Sequence, residues 1–116
     1  MRYLLIIHIP WTGEGAPEPA LIAEIMATHE RVEGELRASG EFVETGELAR
    51  NDARWVRTTT GTPIVTDGPF TEGKEVIGGY YLVDCDTFDR ATDIAGQFAE
   101  ARFGAVEVRR IGSDDD

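Results

Sequence analysis

The run Arg2-Tyr3-Leu4-Leu5-Ile6-Ile7-His8-Ile9 constrains this chain more than any other segment. In an extended strand successive side chains point to opposite sides. Tyr3, Leu5, Ile7 and Ile9 therefore share one face, and Leu4, Ile6 and His8 share the other. Both faces are apolar. Such a strand belongs in the interior of a sheet that is covered on both sides. The question is what the remaining chain can supply as cover.

Only two segments have helical periodicity. Between residues 18 and 38, Ile22, Ile25, His29, Val32 and Leu36 recur at intervals of 3, 4, 3 and 4. That is a single apolar stripe, with Glu24, Glu30, Arg31, Glu35 and Arg37 on much of the remainder. Ser39-Gly40 supplies the stop. The second helix is expected over 87–101, with Asp86 as N-cap and Asp89 in a box-like spacing. Its stripe is Phe88, Ala91, Ile94 or Ala95, Phe98, and Ala101 or Arg102, and Gly104 ends it.

Further strands are expected at 42–48, 54–59, 63–66, 78–83 and 105–111. Thr60-Gly61 joins two of them as a hairpin. Proline and glycine break the segment 10–19, Asp67-Gly68-Pro69 is a turn signal, and 70–77 reads as an irregular polar segment. The order β-α-β-β-β-β-α-β suggests an α+β fold, a ferredoxin-like antiparallel sheet with both helices on one face. Residues 1–112 form one domain, and 113–116 form a disordered acidic tail. Nothing in 116 residues is left to cover the second face of the sheet. A homodimer packing sheet to sheet is the simplest solution.

Charge and composition narrow the function classes. Eleven basic against 22 acidic side chains give a net charge of −11. That surface repels phosphate, which argues against nucleic acid and anionic membranes. A hydrophobic content of 41% argues against disorder. The one cysteine, Cys85, allows no intrachain disulfide and no CxxC metal site, and reads as a small buried thiol. The first apolar run is too short for a signal peptide core, and no stretch approaches the roughly 20 apolar residues that span a bilayer. A cytoplasmic protein is expected.

His29 is the most informative single residue. It occupies a core position by spacing, so its imidazole must find partners or face a cavity. It is either a satisfied structural histidine or a general acid/base in a pocket between helix and sheet. His8 reads as a half-buried strand residue, and two histidines 21 residues apart are no metal motif. Trp11 lines a pocket or caps the core. Gly78-Gly79 lacks phosphate-loop spacing and points instead to a close approach of backbone to a neighbour or ligand. The connection 67–80 is dense in polar groups, as functional loops often are.

Asp67-Gly68-Pro69-Phe70-Thr71-Glu72-Gly73-Lys74-Glu75-Val76-Ile77-Gly78-Gly79-Tyr80-Tyr81-Leu82 resembles the signature of the DGPF branch of YCII-related proteins. The opening Arg2–Ile6 strand, a first helix carrying His29, and the closing Val106–Arg109 strand fit the same family. Gly73 departs from it, because members more often carry Thr there. The resemblance implies a dimeric α/β barrel and a pocket with a His–Asp pair. It also implies chemistry on small cyclic or chlorinated aromatic compounds without a cofactor; the histidine spacing suggests no metal. His29 matches the family histidine, and Asp67 is the implied acid. In that reading Asp67 orients the His29 imidazole and stabilises its charged form. Lys74 holds an anionic group, Phe70 and Tyr80 form apolar walls, and Glu72 and Gly79 complete the substrate-binding set. Two alternatives stay open. One is a non-catalytic dimer binding a ligand or protein in a sigma-factor circuit. The other is a cofactor-free oxygenase on the same fold.

Overall fold

The computed structural model describes residues 1–10, 18–49, 52–58, 60–67 and 76–113. Its elements are β1 (Arg2–Ile9), α1 (Pro19–Ser39), β2 (Phe42–Glu47), β3 (Arg54–Thr58), β4 (Pro63–Asp67), β5 (Val76–Asp84), α2 (Phe88–Ala95), α3 (Glu100–Phe103) and β6 (Ala105–Arg110). The 10–19 loop from Trp11 to Pro17, the segment 68–75 and the tail residues 114–116 lie outside the described residues.

The doubly apolar β1 takes the interior position its sequence demands. Four strands form one antiparallel sheet in the order β2-β5-β1-β6. Tyr3, Leu5 and Ile7 of β1 are almost wholly buried. They join Tyr81 and Val83 of β5, Val32 and Leu36 of α1, and Ala91, Ile94 and Phe98 in one core. Leu4, Ile6 and His8 lie on the opposite face and are half-buried. The fold is thus α+β, with an antiparallel sheet whose core lies on its helix side.

Helix α1 begins with Pro19 in its first turn, where a missing N–H costs nothing. It ends at Gly40, whose φ of 81° is left-handed and lets its N–H reach the carbonyls of Arg37 and Leu36. The Thr60–Gly61 hairpin also forms, with Gly61 at φ 88°. Its strands β3 and β4 make a separate two-stranded ribbon. Trp55, Val56, Ile64 and Val65 on that ribbon are exposed.

Three expectations shift. Strand β5 starts at Val76 rather than 78, because Val76 is buried and pairs in register with Ile9. The N-cap of α2 is Thr87 rather than Asp86, with Thr87 Oγ1 accepting from the Arg90 N–H at 3.0 Å. The continuous 87–101 helix is interrupted. After Gly96, a weak helix former, Gln97 and Phe98 donate to the carbonyls three residues back, at 3.1 and 3.4 Å. This tighter winding resets the helical phase before α3.

Candidate active site

The interrupted helix creates the site. The segment 97–102 docks on α1 through several side chains. The Ala99 N–H donates to Thr28 Oγ1 at 3.3 Å, and Arg31 reaches Gln97 at 3.1 Å. Arg102 pairs with Glu24. Held this way, Glu100 points inward and is only 5% exposed. Its Oε2 lies 2.6 Å from Nε2 of His29. The other ring nitrogen, Nδ1, lies 2.9 Å from the hydroxyl of Tyr81 on β5. Phe98 packs against both rings, with centroids 4.9 Å from His29 and 4.7 Å from Tyr81. The imidazole is therefore fixed at both nitrogens and on one flank.

His29, Tyr81 and Glu100 line a cavity of about 480 Å³ between α1 and the sheet. Its apolar wall includes Ile7 and Ile9 of β1 and Ile22, Ile25 and Met26 of α1. The upper half of the α1 stripe thus lines a cavity, whereas Val32 and Leu36 at the lower half are buried core. Gly78 and Gly79 contribute the sheet side, with Thr45 and Gly46 of β2. A side chain at Gly79 would put its Cβ 2.8 Å from the Gly46 carbonyl oxygen, and one at Gly78 would press on Ile9. The close backbone approach read from the paired glycines is present. Gly78 sits at a register shift between β1 and β5, beside the cavity.

The electrostatics favour a protonated phenol at Tyr81. Burial raises the Tyr81 pKa above the ordinary phenol value, with the Glu33 and Glu100 charges acting the same way against a Thr45 hydrogen bond. Tyr80 hydrogen-bonds Glu44, and that bond is the main cause raising its pKa. Glu100 Oε1 is buried and has no hydrogen-bond partner among the described residues. Burial likewise pushes the Cys85 thiol up. Among the described residues no group of three or more His, Cys, Asp or Glu could hold a metal ion. None of their helices is long and apolar enough to cross a membrane.

Of the residues expected from sequence, His29, Gly79 and Tyr80 line this cavity. Asp67 ends β4 on the ribbon, in register with Arg54. Phe70, Glu72 and Lys74 lie outside the described residues. The carboxylate at the His29 ring is Glu100, which sequence reasoning did not single out. Tyr81 was likewise missed, although its place beside Tyr80 in the glycine-led strand was the available signal.

A family model for the YCII-related domain matches residues 1–113. The chain belongs to the YCII-related family. Over 92 residues it is 39% identical to the uncharacterized protein R00369 of Rhizobium meliloti (strain 1021), covering 71% of this chain and 74% of that protein. Its fold is similar to that of TftG, the 5-chloro-2-hydroxyhydroquinone dehydrochlorinase of Burkholderia phenoliruptrix AC1100, solved in complex with 2,5-dihydroxybenzoquinone. The TM-score is 0.50 at 16% identity, covering 99% of this chain and 97% of that chain. At that identity the likeness concerns the fold.

Proposed function

We propose that this YCII-related chain is a small-molecule enzyme in which His29 and Glu100 form the acid–base unit of the cavity. The observation that carries this reading is the 2.6 Å contact between His29 Nε2 and a buried carboxylate in the lining of a largely apolar cavity. A carboxylate at one ring nitrogen orients an imidazole and stabilises its protonated form, which is what a proton-transfer catalyst needs. The apolar walls suit a compact organic molecule. The dehydrochlorinase of similar fold acts on a chlorinated hydroxyhydroquinone, and hydroxylated rings of that class are the first substrates to try.

Finer features of the reading rest on sequence. The motif Asp67–Leu82 supports membership of the DGPF branch. The sheet order supports a ferredoxin-like core. The half-buried Leu4, Ile6 and Leu82 support a homodimer closed through its sheets into a barrel. Asp67 stays a second candidate acid, and Phe70, Glu72 and Lys74 stay candidate ligand contacts, on the strength of the motif alone.

The test is turnover of chlorinated and unchlorinated hydroxyhydroquinones by the wild type, H29Q, E100Q and D67N. Loss of turnover in H29Q and E100Q is expected. Full activity in H29Q would overturn the reading, and loss in D67N with retention in E100Q would move the acid to Asp67. A second reading, a non-catalytic protein-binding dimer, draws on the exposed Trp55, Val56, Ile64 and Val65 of the ribbon. Co-purification of a partner that W55S abolishes, without turnover of any ring compound, would favour it.

A further inference from the structure

We propose that Tyr81 is the residue through which a ligand in the cavity exchanges its proton with His29. This deepens the acid–base reading above and rests on it. An ionised carboxylate can only accept hydrogen bonds. With Glu100 ionised, Nε2 of His29, 2.6 Å from Glu100 Oε2, carries the proton. A neutral imidazole has one N–H, so Nδ1 is an acceptor, and the Tyr81 hydroxyl 2.9 Å away donates to it. Both ring nitrogens are then engaged, and a ligand meets neither of them free.

The Tyr81 hydroxyl keeps acceptor capacity after donating to the ring, and Tyr81 lines the same cavity. A ligand hydroxyl that donates to Tyr81 Oη can pass its proton there while the original Tyr81 proton moves to Nδ1. Tyr81 ends as it began, neutral. The ring becomes imidazolium with Nε2–H still on Glu100, and the ligand becomes an oxyanion. The reverse transfer returns the proton, and no oxidant or reductant enters. Tyr81 is well placed for this role. It sits on β5 between β1 and β2, is 3% exposed, and its ring packs on Phe98. Burial moves its pKa further above neutrality, so the hydroxyl carries its proton.

The experiment combines a ring signature with kinetics. Histidine-labelled ¹⁵N protein is examined at about pH 8, where a free imidazole is neutral. The wild type is expected to show His29 as a single tautomer protonated at Nε2. Y81F is expected to stay folded and to keep the Nε2 proton, which Glu100 holds, while the Nδ1 resonance shifts because its hydrogen-bond donor is gone. A wild-type ring protonated at Nδ1, or at both nitrogens, would overturn the proposal. With any hydroxylated ring that the wild type turns over, Y81F should lose kcat on the order of 100-fold, with KM changed less than about threefold. The double variant Y81F/H29Q should be no worse than H29Q, because the two act in one relay. Wild-type kcat in Y81F alongside a dead H29Q would sink the relay and leave the acid–base reading intact. A wild type that turns over no such compound would sink that reading and the relay together.

Discussion

Glu100, buried, and His29, partly exposed, pair across two helices, with Oε2 2.6 Å from Nε2 and the second carboxylate oxygen unpartnered among the described residues. A buried carboxylate with one oxygen unsatisfied is costly to keep, and such groups are retained where function uses them. E100Q preserves an acceptor for Nε2–H and removes the charge. Its unfolding free energy in urea is expected within about 1 kcal/mol of wild type, while turnover falls by roughly 10² to 10⁴. A loss of several kcal/mol with activity retained would make the pair structural.

The sequence made some of this site legible and hid the rest for a definite reason. His29 stands out because an imidazole interrupts an apolar stripe, and the stripe is real. The paired glycines announced a close approach because backbone contact leaves no room for a Cβ. Glu100 was invisible. Continuing the periodicity of Phe88, Ala91 and Ile94 through Gly96 puts Ala101 or Arg102 on the inner face and Glu100 on the opposite, outer face. Only the tighter turn after Gly96, pinned by Thr28 to α1, rotates Glu100 inward. A local winding change of this kind leaves no hydrophobic signature, and a charged residue is otherwise assigned to the surface.

Gly79 offers a test of how finely the cavity floor is set. Added as alanine, its Cβ would stand 2.8 Å from the Gly46 carbonyl oxygen, which is backbone and cannot rotate away. Strand β2 must then move off β5 beside the cavity. G79A is expected to cost about 1–3 kcal/mol in chemical denaturation and to weaken binding of hydroxylated rings. An unchanged denaturation midpoint would mean that the two strands are not packed this closely. G34A serves as the control, since nothing lies within 4 Å of a Cβ at that helical position.

Arg90 grips Glu41 with two hydrogen bonds, Nε to Oε2 at 2.9 Å and Nη2 to Oε1 at 2.8 Å. These bonds tie α2 to the start of β2, and they hold the Glu41 pKa below the usual carboxylate value despite opposing desolvation. A carboxyl whose pKa is depressed on folding contributes stability above its unfolded pKa and loses it as pH falls through the folded one. Arg90 is partly exposed, so the pair is worth only about 1 kcal/mol at neutral pH. R90M keeps the apolar stem and removes the grip. Its stability deficit is expected near pH 7 and should fade below about pH 4, where carboxyls protonate. A deficit that is constant from pH 7 to pH 3 would assign it to packing instead.

The outer face of the sheet decides whether the chain works alone. Leu4 lies opposite Leu82 in the β1–β5 register, and Ile6 lies opposite Tyr80. Leu4, Ile6 and Leu82 are half-buried by their own neighbours, and Ile77 at the end of this face is exposed. Around them stand His8 paired with Glu107, which also bonds Arg109, and Tyr80 bonded to Glu44. An apolar centre with a polar, hydrogen-bonded rim is the anatomy of a protein interface. A second copy would cover this face isologously. L82E places a charge at its centre without touching the helix-side core, because Leu82 points away from Tyr81 and Val83. Light scattering on the eluting peak should show a dimer for the wild type and a monomer for L82E. Far-ultraviolet circular dichroism should be alike for both. A wild-type monomer at micromolar concentration would rule out the dimer, and the apolar stripe would then need another partner.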